Sequence, residues 1–305
     1  MPAIIQTHQL TKSYGRSRGI IEVTFDIQEG EVFGFLGPNG AGKTTTMRTL
    51  MGLLLANSGS ATIGGLDCWT QSTEVKKLVG YLPGEFTFDP GLRGAQIIEY
   101  LGHLRGGVDQ AYVRSLVERL GLDPSKRFRA YSHGNKQKLG LVQAFMHKPR
   151  LLILDEPTSG LDPLNQQEFY KMVAEIKASG RTVFLSSHIL PEVEQTCDRV
   201  AIIREGRLVI IDHVSALKAI RQRDVEISFA GPASVDWFKP VAGVTRVAQG
   251  ADEHILQLDV QGDLTEIIQV AGQHGATNIA AHEPTLEEAF LRFYEPKPES
   301  AALAR

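Results

Sequence analysis

The chain has 305 residues, enough for one large domain and a small one, and its 42% hydrophobic and 22% charged residues form an ordinary globular composition. Its formal net charge of −3 argues against a nucleic-acid-binding protein, so we expect no nucleic acid among its partners. No apolar run reaches membrane-spanning length, and the N-terminus lacks the pattern of a signal peptide. We therefore expect a cytoplasmic protein that meets a membrane only through another protein.

The first part of the chain alternates β-rich runs with one apolar helix. We predict this helix over residues 42–55, after a glycine-rich turn. From about residue 95 to residue 147 the periodicity becomes helical, with breaks at glycine and proline positions. The pattern predicts an α/β domain with a helical insertion. Its predicted strands in this part are residues 3–10, 20–27, 31–36, 60–63 and 78–82.

Features of a buried parallel sheet return after the insertion. Residues 151–154 and 182–185 are continuous apolar runs, as expected for strands covered on both faces. An amphipathic helix is predicted between them at residues 169–178. The segments 199–204 and 207–211 are predicted to form a hairpin that completes a mixed sheet.

A charged stretch at residues 221–224 marks a linker, so we place a first domain at residues 1–220 and a second at 225–293. The order of elements in the second domain is βαββαβ, which is the ferredoxin-like, split-βαβ arrangement of a small α+β domain. A last helix is predicted near residues 285–294, and the polar tail at 294–305 is expected to be disordered. The predicted strands of this domain are 225–229, 242–248, 253–260 and 277–281, and its helices are 234–239 and 263–273.

The glycine-rich turn carries the clearest chemical signal in the sequence. Gly37-Pro38-Asn39-Gly40-Ala41-Gly42-Lys43-Thr44 matches the phosphate-loop pattern G-x-x-x-x-G-K-[ST]. The glycines let backbone N–H groups point at phosphate oxygens, and the positive end of the following helix faces the same way. Lys43 adds a charge near the β and γ phosphates, and the Thr44 hydroxyl suits Mg²⁺. The sequence thus predicts binding of ATP with Mg²⁺ by residues 37–44 and the adjacent Thr45.

Polar side chains also follow two predicted parallel strands. Asp155 and Glu156 end the run that begins at Leu151, and His188 follows the run that begins at Thr182. Ligands bind at the carboxyl ends of strands in open α/β sheets, so we expect these residues near the phosphate loop. Asp155 is a candidate ligand of Mg²⁺, Glu156 a candidate to activate the attacking water, and His188 a candidate to orient that water.

One further segment narrows the class of NTPase. Residues 131–140, Tyr-Ser-His-Gly-Asn-Lys-Gln-Lys-Leu-Gly, resemble the signature of ATP-binding-cassette (ABC) proteins, whose usual form is Leu-Ser-Gly-Gly-Gln. Ser132 and Gly134 match that form, whereas Tyr131, His133 and Asn135 depart from it. A serine and open N–H groups at a helix start also make a local anion site. The resemblance covers about residues 3–220 and implies the fold of a P-loop ABC cassette.

The family resemblance assigns roles to further residues. Tyr14 resembles the aromatic residue that stacks on adenine, and the segment with Asp162 resembles the loop that crosses between subunits. In the family, the signature of one subunit caps the ATP of another, which implies that Ser132, Gly134 and Asn135 act on a partner's nucleotide. The resemblance therefore implies ATP hydrolysis by a homodimer, or by a pair with another cassette.

One departure from the family concerns the metal site. The family usually has a glutamine that reaches Mg²⁺ after the strand at residues 78–82, and Gly84 occupies that position here. We hypothesise that Glu85, or a water molecule, takes the place of the glutamine.

The end of the chain suggests a subfamily. Residues 282–290, with Pro284-Thr285-Leu286-Glu287, resemble the ending of ATPase subunits from ABC-2-type exporters. This implies a separately encoded transmembrane permease and a peripheral position on the cytoplasmic face of the cell membrane. Two alternatives remain at this point: a nucleotide-gated ABC module with no transport role, associated with ribosomes or another complex, and the ATPase of an importer. The cargo and the role of residues 225–293 stay open.

Overall fold

The structure is a computed structural model that describes residues 3–15, 17–219 and 222–282. The chain divides into two units, Met1–Val214 and Ser215–Arg305. Among the described residues, no helix has both the length and the apolar character needed to cross a membrane. The predicted C-terminal helix and tail lie outside the described residues.

The first unit contains two sheets and most of the helices. Its strands are β1 (Ala3–Tyr14), β2 (Ser17–Gln28), β3 (Val32–Leu36), β4 (Ser58–Ile63), β5 (Leu66–Asp67), β6 (Val79–Leu82), β7 (Leu151–Asp155), β8 (Thr182–Ser187), β9 (Arg199–Arg204) and β10 (Arg207–His213). Its helices are α1 (Lys43–Leu50), α2 (Ser72–Leu78), α3 (Gly94–Leu104), α4 (Gln110–Arg119), α5 (His133–Phe145), α6 (Pro163–Ala178) and α7 (Leu190–Thr196), and α8 (Val214–Ala219) begins where the unit ends.

The larger sheet positions the site. Its order is β10-β9-β3-β8-β7-β6, with parallel neighbours from β9 to β6 and an antiparallel edge strand β10. Every residue of β3, β7 and β8 is buried, because these apolar strands are covered on both faces. Their carboxyl ends therefore meet at one edge of the sheet. A smaller antiparallel sheet, β2-β1-β4-β5, packs its apolar side chains against one face of the larger sheet.

The helical insertion consists of α3, α4 and α5. Its apolar side chains pack on the opposite face of the larger sheet, in a separate cluster where Leu116, Leu139 and Phe145 are among the fully buried residues. The α4 helix begins where the Asp109 side chain accepts hydrogen bonds from Ala111 N and Tyr112 N. The mixed sheet with a helical insertion confirms the predicted class of fold.

The second unit is an antiparallel sheet packed on one helix. Its elements are β11 (Gln222–Phe229), β12 (Val244–Gln249), β13 (Ile255–Gln261), α9 (Thr265–Gln273) and β14 (Ala276–His282). The sheet order β12-β13-β11-β14 is that of a ferredoxin-like domain. The predicted helix at 234–239 is wrong in extent: only a 3-10 turn, Val235–Trp237, forms. Pro240 disfavours helical geometry at the residue before it, which shortens this element.

Two helix bounds in the first unit also differ from the prediction. The helix after the phosphate loop ends at Leu50 and not near residue 55, because the chain turns at Met51 and Gly52, whose amides donate to Met47 O and Thr49 O. The helix predicted from residue 169 begins instead at Pro163. Asp162 caps it by accepting from Asn165 N at 3.0 Å, and proline at the first position favours the helical start.

Candidate functional site

The phosphate loop connects β3 to α1 as the sequence predicts. Gly42 has a φ of +114°, and a Cβ there would lie 2.8 Å from Ile20 Cγ2, so only glycine fits at this position. The loop is tied to the neighbouring strand β8, because Gly37 N donates to Ser187 O at 3.3 Å. The helix that follows directs its free N–H groups toward the loop.

A pocket of about 240 Å³ opens at this loop, and its lining joins the loop to the acidic end of β7. Lys43 is 5% exposed, and its Nζ donates to Gly37 O at 2.7 Å and to Pro38 O at 3.2 Å. The same Nζ lies 3.3 Å from Glu156 Oε1. The buried ammonium group of Lys43 can therefore exchange these contacts for contacts with phosphate oxygens. The lining residues of the pocket are Asn39, Gly40, Gly42, Lys43, Thr44, Thr45 and Glu156.

Asp155 has the environment expected of a ligand for a hard cation. It is fully buried, and its Oδ1 accepts a hydrogen bond from Ser186 Oγ at 2.6 Å. Its Oδ2 is buried and has no hydrogen-bond partner in the described part of the chain. An unpaired buried carboxylate oxygen is costly, and a cation would satisfy it. Mg²⁺ usually takes only one or two protein oxygens beside phosphates and water, so Asp155 with the Thr44 hydroxyl fits that ion.

Glu156 lies between two potential partners. Its Oε2 is 3.3 Å from His188 Nδ1, and its Oε1 faces Lys43. The Glu156 side chain is 26% exposed and that of His188 is 46% exposed, so water can reach both. The structure therefore places Lys43 and His188 on either side of the Glu156 carboxylate, which lines the pocket.

The signature segment lies at the start of α5. The Ser132 hydroxyl caps the helix by accepting hydrogen bonds from Asn135 N at 3.3 Å and Asn135 Nδ2 at 3.2 Å. Ser132 and His133 are exposed, so the open end of the helix faces outward. Ser132, Gly134 and Asn135 do not belong to the lining of the 240 Å³ pocket. Their predicted role on a partner's nucleotide stays a prediction.

The signature also packs closely on the segment that precedes α6. A Cβ at Gly134 would lie 2.3 Å from Gly160 O, so the two backbones are in direct contact. His133 Nε2 lies 3.3 Å from Ser159 Oγ. Asp162, at the end of this segment, caps α6, and hydrogen bonds from Asn165 N and then the Asn165 side chain lower the pKa of its carboxyl. The signature and this segment are thus joined within one chain.

Gln137 is a site residue that the sequence analysis missed. It is 2% exposed, and its Nε2 donates to Glu156 O at 2.9 Å and to Pro157 O at 3.1 Å. Gln137 thereby links the signature helix to the backbone of Glu156. The available signal was its spacing: Gln137 lies four residues before Leu141, on a face that the structure buries.

Tyr14 and Glu85 are two further predicted site residues that lie outside the pocket lining. Tyr14 is 44% exposed at the end of β1, with Lys12 Nζ 5.6 Å from its ring centroid. Glu85 is exposed, whereas Gly84 is close to the acidic strand end, where a Cβ would lie 3.0 Å from Asp155 Oδ2. The roles of Tyr14 in adenine stacking and of Glu85 at the metal remain predictions.

Comparison with known proteins gives consistent matches. Residues 20–159 match the family model described as ABC transporter. The bacitracin transport ATP-binding protein BcrA of Bacillus licheniformis is 31% identical over 307 residues, covering 96% of this chain and 97% of that protein. The daunorubicin resistance ATP-binding protein DrrA2 of Streptomyces coeruleorubidus is 33% identical and covers 94% of each chain. A solved structure of the ATP-binding subunit of an ABC transporter matches with a TM-score of 0.65 at 29% identity, covering 70% of this chain and 92% of that one.

Proposed function

The chain belongs to the family of ABC transporter ATP-binding proteins, and we propose that it is the ATPase subunit that powers an ABC-2-type exporter. One relative is named for bacitracin transport and the other for daunorubicin resistance, and both match nearly the whole chain. The observation that carries the ATPase role is the pocket in which Lys43 and Glu156 lie 3.3 Å apart beside the phosphate loop. The alternatives with an importer or a non-transport module have no comparable support.

The residues of the pocket divide the chemistry among them. The N–H groups of the loop and the α1 start bind the phosphates, and Lys43 leaves the loop carbonyls and Glu156 to reach them. Glu156, released from the lysine, takes a proton from the attacking water as a general base. His188, on the other side of the same carboxylate, orients that water. Mg²⁺ held by Thr44 and Asp155 would neutralise charge on the phosphates.

One solved ABC transporter cassette that shares this fold is described as dimeric, and another as part of an ABC transporter complex. For this chain we propose a homodimer, or a pair with another cassette, in which Ser132, Gly134 and Asn135 of each copy cap the nucleotide of the other. The exposed, capped start of α5 supports this, because its N–H groups can bind a phosphate across an interface. A separately encoded permease would hold the pair at the cytoplasmic face of the cell membrane.

Replacement of the general base tests the proposed ATPase. Glu156→Gln should lower kcat for Mg-ATP by about a hundredfold or more, since the amide cannot take the proton. Its affinity for ATP, measured by calorimetry, should stay close to that of the wild type. A matched control is Glu253→Gln, which changes an exposed carboxylate in the second unit and should leave kcat unchanged. A Glu156→Gln variant as active as the control would contradict the assignment.

Cell fractionation tests the exporter part separately. The protein should sediment with membranes when the permease from the same gene cluster is co-expressed and stay in the supernatant without it. Sedimentation with ribosomes would instead support a non-transport module.

A further inference from the structure

A buried carboxyl group follows the histidine that lies beside Glu156. Glu192, on α7, is only 2% exposed, although it belongs to a residue type that is almost never fully buried without a partner. None of the steps described above uses it.

The Glu192 carboxyl holds the segment that follows β8. Its Oε2 accepts a hydrogen bond from Ser187 Oγ at 2.5 Å. The same hydroxyl oxygen accepts from Ile189 N at 2.9 Å, so Ser187 bridges the carboxyl and the backbone on the far side of His188. Thr196 Oγ1 donates to Glu192 O at 2.6 Å and fixes the helix that carries the carboxyl. His188 thus sits in a short loop, Ser187–Ile189, whose two ends are joined by the Ser187 hydroxyl, and Glu192 holds that hydroxyl.

Ser187 also connects this loop to the rest of the site. Its carbonyl oxygen accepts a hydrogen bond from Gly37 N, the first residue of the phosphate loop, at 3.3 Å. The next residue, His188, is 3.3 Å from the Glu156 carboxylate. A shift of Ser187 would therefore move both the histidine and the loop that binds phosphate.

Simple packing does not explain a glutamate at this position. Burial raises the pKa of Glu192, hydrogen bonds from Ser187 and Thr158 and then the charge of His188 oppose that rise, and the negative charge of Glu156 adds to it. Burying this carboxyl is therefore costly, although Leu190 and Val193 show that the same helix also buries apolar side chains. A costly carboxyl that is hydrogen-bonded to the loop carrying His188 calls for a role beyond packing, such as making that loop rigid.

We propose that Glu192 is a positioning residue for ATP hydrolysis: through Ser187 it fixes the loop that keeps His188 beside Glu156. This rests on the proposed ATPase function and deepens it. Glu192 lies outside the lining of the 240 Å³ pocket, so it acts through the geometry of Ser187 and His188.

The test compares Glu192→Ala with the isosteric Glu192→Gln. The alanine variant loses the acceptor for Ser187 Oγ, so we expect kcat for Mg-ATP to fall about tenfold or more, with KM for ATP within about twofold of the wild type. The glutamine variant keeps an oxygen acceptor and should retain kcat within about threefold. Ser187→Ala, which removes the donor of the same hydrogen bond, should reproduce the alanine variant, and Gln195→Ala, an exposed change on the same helix, should behave as the wild type.

Each outcome decides between supporting and overturning the role of Glu192. Wild-type kcat in both Glu192→Ala and Ser187→Ala would overturn it, and so would equal losses in the alanine and glutamine variants. If Glu192→Ala fails to fold, Glu192→Gln and Ser187→Ala still test the role of Glu192. Only Ser187→Ala should then lose kcat. A wild-type protein with no ATPase activity would instead refute the proposed function itself.

Discussion

Glu156 is held by its backbone as well as by its side chain. Its φ of +49° lies in the left-handed region, a strained conformation for a residue with a side chain, at a cost on the order of 1–3 kcal/mol. Hydrogen bonds fix it on both sides: Glu156 N donates to Ser186 Oγ at 3.0 Å, and Glu156 O accepts from Gln137 Nε2. This turn directs the carboxylate out of the buried strand and toward Lys43 and His188.

Glu85 gives a prediction about the metal. If its carboxylate takes the place of the glutamine that the family has at the Gly84 position, Glu85→Ala should raise the Mg²⁺ concentration needed for half-maximal ATP hydrolysis. The measurement is a magnesium titration of kcat at saturating ATP, with Asp89→Ala, a nearby exposed carboxylate, as the control. An unchanged magnesium dependence would exclude Glu85 and favour water at this position.

Single residues differed in how well the sequence could predict them. The positions of the phosphate loop and of the pair Asp155-Glu156 were predictable because they depend on the local backbone and on one buried strand. Gln137 was not, because its side chain bonds to the backbone of Glu156 and Pro157, beyond another element. Glu192 was not, because only the structure shows that its carboxyl is buried against Ser187. A polar residue on a buried helix face is visible in a sequence only as an exception to a pattern, and its partner is not visible at all.

At the scale of elements, hydrogen bonds and backbone contacts join helix α5 and the residues after it to strand β6, which precedes Gly84. Gln143 Nε2 donates to Tyr81 O at 2.5 Å, and His147 Nε2 lies 3.3 Å from Val79 O. A Cβ at Gly80 would lie 2.0 Å from Ala144 O, so strand β6 and helix α5 are in backbone contact. The helix that carries the signature and the segment beside Asp155 are therefore expected to move as one body.

His147 makes the contact between helix α5 and strand β6 sensitive to acid. Burial, and next the positive charge of Arg105, lower the pKa of His147 from its usual 6.5 to about 4. Between these values the unfolded chain binds a proton that the folded chain does not, so stability should fall as the pH drops from about 6.5 to about 4.

Thermal unfolding of a histidine variant measures this effect. Between pH 7 and pH 4.5, the melting temperature of the wild type should fall by about 3 °C more than that of His147→Gln, which cannot take up the proton. His103→Gln, an exposed change on α3, should show the full wild-type decrease. Equal decreases in all three proteins would show that His147 does not set the acid limit.

Short elements were the least predictable ones. Helices α2 and α7 have seven residues each, too short for a clear helical period, and they form because the tertiary structure packs them. The start of α6 was available in the sequence, since Asp162-Pro163 is a cap followed by proline, but the apolar period becomes regular only later. The predicted helix near Val235 is shorter than expected, because Pro240 ends it before a second turn can form.

At the scale of the whole molecule, the parallel sheet explains why distant segments share one site. The phosphate loop, the acidic pair and His188 follow β3, β7 and β8, which are neighbours in the sheet although they are far apart in sequence. The ferredoxin-like fold of the second unit was predictable from the sequence of strands and helices along the chain. The pairing of its strands within the sheet became known only from the structure.

The central claim for the molecule is that two copies close on nucleotide, with the Ser132 segment of one copy facing the γ-phosphate held by Lys43 of the other. Asparagine and aspartate both cap helices about as well as serine, so Ser132→Asn and Ser132→Asp should leave α5 intact. The aspartate variant carries a negative charge that the asparagine variant lacks, and this charge would repel an approaching phosphate.

The most direct measurement is sedimentation velocity of these two substitutions in the Glu156→Gln background, with saturating Mg-ATP. We predict that Glu156→Gln and Glu156→Gln/Ser132→Asn form dimers, while Glu156→Gln/Ser132→Asp binds ATP with the same affinity and remains a monomer. Dimers of equal stability in all three, or monomers in all three, would contradict the account.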